Sequence, residues 1–409
     1  MTGTTNSPFN AEFHQALMVT TLSQQQVIRS PAVEAALGHV PRHRFVPEAP
    51  LDVAYDAYEA VVIKTGPDGS ALSSASAPAV VAAMLEQLQA QRGDRVLEVG
   101  AGTGYNAAVL AELVGPTGQV VTIEYDLEVA ERARQALAAA GINNVTVLHG
   151  DGEFGHAAAA PYDRIIVTAG AWDVAGAWVE QLAPHGRLVV PLRLPWPMSV
   201  ALERTPDGTL ASLSTETCGF IPVEGAGHRA SRTVTIGEDA IVIRVDDDRP
   251  IDSALPEALD HPAYEVWTGV EVGDGPSYDS LFLFLTTVES GFTKYTAAAT
   301  AIEARRVYPL MGWGGPGVHD GATFAYLTNR RTRRLDGPRF ELGVIAHGPA
   351  AAELADRLRG HLQTWNTTYR SATRPRITVL PEGAEGDHVA GQFLIDKLCT
   401  RWAITFSRP

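Results

Sequence analysis

The sequence predicts an α/β fold: a doubly wound sheet of parallel strands over residues 1–225, followed by a separate α+β domain over 226–409. Three observations carry this. An apolar run, Val96 to Val99, enters three alternating glycines, Gly100, Gly102 and Gly104, and an Ala/Leu-rich helix follows from Ala107 to Leu113. The pattern then repeats, with a strand from Gln119 to Ile123 that ends in Glu124 and a helix from Leu127 to Ala139. Strands alternating with helices imply βαβ units and a parallel sheet. Finally, 409 residues are long enough for two hydrophobic cores.

The glycine turn is the centre of this reading. Without Cβ atoms the backbone can approach a ligand closely, and the helix behind the turn presents free N–H groups to it. An acid at the tip of the second strand, here Glu124 with Tyr125 beside it, stands where a nucleotide ribose is held in doubly wound folds. The spacing Gly-x-Gly-x-Gly departs from the dinucleotide pattern Gly-x-Gly-x-x-Gly, which disfavours NAD and FAD. A plain strand–turn–helix is the alternative.

Composition narrows the classes. Hydrophobic residues make up 45% and charged residues 19% of the chain, as in ordinary globular proteins. A formal net charge of -15 and a pI near 5.2 oppose nucleic-acid binding, which needs a basic surface. Cys218 and Cys399 are the only cysteines and form no C-x-x-C, so neither a disulfide framework nor a metal site is expected, and a cytoplasmic setting fits. Met1 to Asn10 lack an apolar signal core. The longest apolar run, Leu281 to Leu285, is too short to span a membrane and reads as a buried strand.

Taken in order, the chain opens with an N-terminal helical part, 1–60. Phe13 to Val27 is helix-compatible. Ser30-Pro31 starts a second helix, with Ser30 as N-cap and Ala32 to Leu37 as its body, stopping near Gly38. A Gly/Ser-rich loop spans Ile63 to Ser76, and Pro78 opens a helix to about Gln91. Ser73, Ser74 and Ser76 therefore stand at a helix start, which favours an anion; a simple capping role for Ser76 is the alternative. A third strand, Asn144 to Leu148, leads to Gly150-Asp151-Gly152, placed for an adenine amino group or a solvated turn. Ala160 to Ala169 reads as a turn and a buried strand. A helix over Ala175 to Leu182 and a strand ending at Pro191 follow.

Beyond a linker at Gly225-Ala226-Gly227, strands are expected at Thr233–Ile236, Ile241–Val245, Leu281–Thr286 and Phe340–Ala346. Helices are expected at Ala350–Arg359 and Gly391–Leu398. Gly312 to Gly317, around Trp313, reads as a mobile or binding loop. Asn329 to Arg334 is the one dense basic run. Its arginines, Arg330, Arg331, Arg333 and Arg334, suit either a solvated loop or a dock for an acidic peptide.

Several motifs carry a family resemblance. A strand bearing Glu98 before Gly-x-Gly-x-Gly resembles the S-adenosylmethionine site of class I methyltransferases, which have a Rossmann-like sheet. Val40-Pro41-Arg42 with Phe45-Val46, then Ala54-Tyr55, resembles the entry segment of protein-L-isoaspartate O-methyltransferases. Ser74-Ala75-Ser76 before Pro78 matches their Thr-Ile-Ser-x-Pro signature when aligned on the proline. Gly150-Asp151-Gly152, Ala160-Pro161-Tyr162-Asp163 through Thr168-Ala169, and Gly186-Arg187-Leu188-Val189 follow in the family's order. Cys218 to Val223 resembles its closing strand.

The resemblance implies S-adenosylmethionine as cofactor, with Gly100, Gly102, Thr103, Gly104 and Tyr105 cradling its methionine part and Ser73 facing it. Glu98 would lie near the ammonium, Glu124 and Tyr125 at the ribose, Asp151 and Gly152 at the adenine. Ser76 and Ser74 would position the acceptor carboxylate, and Thr168 would line its pocket. The added C-terminal domain resembles enzymes associated with lanthipeptide, graspetide and lasso-peptide biosynthesis. That implies a cyclised precursor peptide as partner, esterified at an aspartate that passes through aspartimide to isoaspartate. General isoaspartyl repair is the alternative. Two departures lie on the acceptor side: Ser74-Ala75-Ser76 itself, and Thr65 to Ser70 in place of the usual Gly-Gln-Gly.

Overall fold

Local chemistry sets the helix starts. Ser30 accepts from Val33 N and caps the helix Pro31–His39, with proline at its first position. Asp126 accepts from the backbone N–H groups of Glu128 and Val129 and caps Leu127–Ala139. The computed structural model describes residues 8–67, 69–246, 249–273, 278–332, 339–370, 375–381 and 392–406.

Two large sheets carry the architecture. The first contains five parallel strands in the spatial order Leu182–Leu192, Tyr162–Val167, Arg95–Val99, Gln119–Glu124 and Val145–His149. Arg95–Val99 is first of these in sequence and central in space, so the chain winds outward on both sides of it. A crevice opens beyond the carboxyl end of such a strand. Beyond Leu182–Leu192 the sheet turns antiparallel, through Met198–Arg204 and Leu210–Thr217. It then continues into strands from much later in the chain. Arg376–Pro381 pairs with Leu210–Thr217 and with Thr400–Thr405, which pairs in turn with Gln392–Asp396.

The second sheet is antiparallel, in the order Arg232–Ile236, Ile241–Val245, Phe292–Ala297, Gly314–Asp320, Thr323–Thr332, Arg339–His347 and Tyr264–Val272. Residues beyond 226 therefore divide between the sheets: 232–347 build the second, and 376–405 complete the first. One apolar core joins them, from Leu97 and Trp178 under the parallel strands to Phe284, Leu342 and Trp402. The junction is also polar. Arg193, 3% exposed, donates to Arg229 O at 2.7 Å and to Ser231 Oγ and Asp246 Oδ1, both at 2.6 Å.

Several expected elements differ. Leu281–Leu285 lies in a helix, Asp279–Val288, not a strand. All five residues are buried, so the run has no polar face from which to read a period. Thr286 and Thr287 fold back to the carbonyls of Phe282 and Phe284 at 2.8 and 2.7 Å. The helix expected at Gly391–Leu398 is the strand Gln392–Asp396, recruited by pairing with Thr400–Thr405. The glycines after Trp313 belong to the strand Gly314–Asp320 rather than a loop. A Cβ on Gly314 would stand 2.2 Å from Tyr295 O, so its glycine permits close strand approach. Cys218–Val223 is not a sheet strand; a single bridge joins Pro222 to Gly170.

The Ile63–Ser76 loop is a hairpin. Val61–Thr65 and Ala71–Ala75 pair antiparallel, with register shifts around Lys64. Helix Pro78–Leu88 follows, capped at its end by Gln89 in the left-handed region and so shorter than expected. No helix among the described residues is long and apolar enough to cross a membrane.

Candidate active site

The crevice at the central strand is a cavity of about 570 Å³, within the range of small-molecule sites. The glycine turn, Glu124 and Tyr125, and Gly152 line it, together with the hairpin and the start of helix Pro78–Leu88. The extended segment Gly219–Glu224 and Thr168 close the remainder.

The turn is held open by necessity. Gly100 has φ +101°, and a Cβ there would lie 2.6 Å from Thr168 Oγ1. That hydroxyl is 2.6 Å from Gly100 O and 3.0 Å from Val99 O, so Thr168 latches the turn while also facing the cavity. Gly102 N donates to Glu124 Oε2 at 2.9 Å, and Asp126 N to Glu124 Oε1 at 3.2 Å. Glu124 thus ties the second strand to the turn, and its burial raises its pKa.

Some expected ligand contacts fall elsewhere. Gly104 lies outside the cavity wall; a Cβ there would meet Ala133 O and Leu137 at 3.3 Å, so its role is close packing against helix Leu127–Ala139. Glu98 is fully buried beneath the turn rather than on the wall. Its Oε1 accepts from Asn106 Nδ2 at 2.7 Å, and Asn106 does line the cavity. Burial pushes the Glu98 carboxyl up to about 7, against the opposing pull of Thr122 and Asn106. Asp151 is likewise not on the wall. It accepts from Glu153 N at 3.0 Å and from Ala226 N at 2.7 Å, fastening the start of the second sheet's segment. Gly152 does reach the cavity.

Thr103 and Tyr105 line the cavity and are nearly fully buried, while Tyr125 is half exposed at its edge. Ser73, expected to face the cofactor, and Ser74 and Ser76, expected at the acceptor, all border the same volume. Ser76 does not cap the following helix; the N-cap position is Ala77, with no side-chain bond. The basic run is not part of this site. Arg330 donates twice to Glu341 Oε2, at 2.9 and 2.7 Å, and covers Trp267 at 4.1 Å. Arg331 stands exposed opposite Phe340, and neither arginine touches the cavity. Arg333 and Arg334 fall outside the described residues.

Sequence reasoning passed over other wall residues. Lys64 of the hairpin contacts Asp126 Oδ2 at 2.6 Å and Glu128 Oε2 at 2.9 Å, strapping the hairpin to the start of helix Leu127–Ala139. Phe220 and Pro222, read as strand, are cavity wall. Arg42, quoted only as part of a motif, is wall as well. Charge pairing and burial of this kind leave no periodic mark in a sequence.

The family description Protein-L-isoaspartate(D-aspartate) O-methyltransferase (PCMT) matches residues 12–228, more than half of the chain. The chain belongs to this family. The protein-L-isoaspartate O-methyltransferase 2 of Archaeoglobus fulgidus is 43% identical over 202 residues, 49% of this chain and 89% of the relative. The protein-L-isoaspartate O-methyltransferase of Ignicoccus hospitalis is 49% identical over 175 residues, 43% of this chain and 80% of the relative. Both relatives match only about half of the chain. Fold similarity reaches further. A solved structure of a protein-L-isoaspartate O-methyltransferase aligns with 89% of this chain and 96% of its own, with a TM-score of 0.50 and 22% identity. This family member is a carboxyl O-methyltransferase that uses S-adenosylmethionine. The turn residues Gly100 to Thr103 on the cavity wall, with Gly102 N tied to Glu124 Oε2, fit that donor.

Proposed function

We propose that the chain methylates the free carboxylate of isoaspartyl residues in polypeptides. One observation supports this reading: the glycine turn with Glu124 and the hairpin serines Ser74 and Ser76 line a single cavity. S-adenosylmethionine supplies an activated methyl group on sulfur. Gly100, Gly102 and Thr103 would hold its methionine part, Glu124 its ribose and Gly152 its adenine. Glu98 acts from beneath the turn through Asn106.

Ser76 and Ser74 would position the acceptor oxygen for methyl transfer. A carboxylate with a pKa near ~4 is already ionised at neutral pH, so the acceptor needs no general base. The chain's work is orientation and exclusion of water. The ester then reacts without the enzyme: the next residue's backbone nitrogen attacks its carbonyl, and methanol leaves with the nitrogen's proton. A five-membered imide remains.

A finer reading has an aspartate of a cyclised ribosomal peptide as acceptor, with residues beyond 228 holding that peptide. The altered Thr65–Ser70 stretch and Ser74-Ala75-Ser76 favour it, since both lie on the acceptor side. The second sheet alone does not, because the fold likeness to a solved isoaspartate methyltransferase extends well past residue 228.

Methyl transfer should be measured by mass spectrometry on a linear isoaspartyl peptide, its aspartyl counterpart and a cyclised aspartyl peptide. Methylation of the isoaspartyl peptide followed by methanol loss is expected. Methylation of the cyclised aspartyl peptide alone would transfer the conclusion to the finer reading. A methylated nitrogen in any of them refutes carboxyl transfer.

A further inference from the structure

The cavity wall contains a cation that these assignments leave unused. Arg42 is fully buried, as long polar side chains rarely are. Backbone carbonyls hold two of its nitrogens: Nε donates to Ala54 O at 2.8 Å, and Nη2 to Ser76 O at 2.8 Å and Ala75 O at 3.3 Å. The guanidinium lies 4.9 Å from the centre of the Tyr105 ring. Nη1 has no hydrogen-bond partner, although it carries two N–H groups. No carboxylate pairs with it among the described residues, and the neighbouring Tyr105 and Tyr55 hydroxyls, pushed up in pKa by burial, are uncharged at neutral pH.

An arginine does not shed its charge, and a buried charge without a counter-ion is costly. A chain that keeps one beside its acceptor loop gains if a ligand brings the anion. We propose that Arg42 Nη1 receives a carboxylate oxygen of a bound ligand, forming an anion subsite between Ser76 and Tyr105. With Nε and Nη2 already committed to carbonyls, the contact is made through Nη1 alone. Two carboxylates enter this cavity, the acceptor's own and the one on the amino-acid end of the donor. The inference rests on the proposed function, and it makes Arg42 a positioning residue whose orientation is set through the backbone of Ser76.

Two ligand pairs test it by calorimetry. One pair is S-adenosylhomocysteine and its decarboxylated analogue, which keeps the amine. The other is the isoaspartyl peptide and its carboxamide, titrated with S-adenosylhomocysteine present. In the unaltered chain one pair should favour the acid by about 10- to 100-fold, as expected for a charge-assisted hydrogen bond. Arg42→Lys and Arg42→Gln should collapse that ratio and leave the other pair's ratio in place. Which pair collapses identifies the carboxylate.

Ratios unchanged by both substitutions, or equal losses for acid and neutral ligand, overturn the proposal and make Arg42 purely structural. Should the variants fail to fold, a crystal of the unaltered chain with both ligands decides. A carboxylate oxygen within ~3 Å of Nη1 supports the subsite, and a water there refutes it. Methyl transfer by the unaltered chain scores the proposed function separately from either result.

Discussion

Replacing Glu98 by Gln tests the electrostatics under the glycine turn. The carboxyl is fully buried and holds its proton in the folded state up to about pH 7, whereas the ordinary value is 4.5. Between those values the folded chain binds more protons than the unfolded chain, so stability falls as pH rises. Each pH unit is worth about 1.4 kcal/mol. Over the interval the wild-type penalty approaches about 3 kcal/mol, fully present above pH 7 and absent below pH 4.5. Glutamine keeps an oxygen for Asn106 and carries no charge, so its stability lacks this component. Denaturant unfolding of both proteins from pH 4.5 to pH 8 isolates the difference, because other titrating groups cancel. The variant should gain steadily on the wild type as pH rises. A constant difference across the range refutes the argument that burial governs this group.

Three further outcomes follow from the same geometry. Ser76→Ala should lower kcat/KM for the isoaspartyl peptide by about 10- to 100-fold, through lost orientation. Its affinity for S-adenosylhomocysteine should stay near wild type, and unchanged turnover would remove Ser76 from the acceptor side. Gly100→Ala forces a side chain to φ +101° and against Thr168 Oγ1, costing about 1–3 kcal/mol of backbone strain before the clash. Calorimetry should then show weakened S-adenosylhomocysteine binding together with a lower Tm. Asp173 accepts from Cys399 N at 2.7 Å and Thr400 N at 3.1 Å, and also from the Thr400 hydroxyl. Asp173→Ala should cost about 1–3 kcal/mol and speed proteolysis in the turn before Thr400, seen by timed digestion.

The parallel half of the fold was legible because each strand and helix is marked by a residue with one physical use. Gly100 permits a positive φ, Ser30 satisfies a helix N–H group, and Glu124 ends a strand at the crevice. Where both faces of an element are buried, those marks vanish. Leu281 to Leu285 shows this, since an apolar pentapeptide fits a strand or a helix equally well until its neighbours are known. Gln392–Asp396 is a strand only because Thr400–Thr405 lies beside it. On the cavity wall, residues at the turn or at one strand tip were readable, including Gly100, Gly102 and Glu124. Arg42 and Lys64 were not, because their roles depend on partners brought close by the hairpin and by helix Leu127–Ala139. Asp151 stands at a motif position yet spends both oxygens inside the scaffold, and Glu98 is buried beneath the turn with Oε1 held by Asn106.

The second sheet interrupts the first. Leu210–Thr217 pairs with Arg376–Pro381, and Ile377 N donates to Ser212 Oγ at 2.7 Å across 165 positions of chain. During synthesis the catalytic half therefore emerges with an open strand edge that must wait for residues made much later. Pairings so distant are slow to form, and an unpaired edge invites association with other chains. Cutting this protein back to the span it shares with its shorter relatives would leave that edge bare permanently. Such a fragment should aggregate even with every donor-side residue in place.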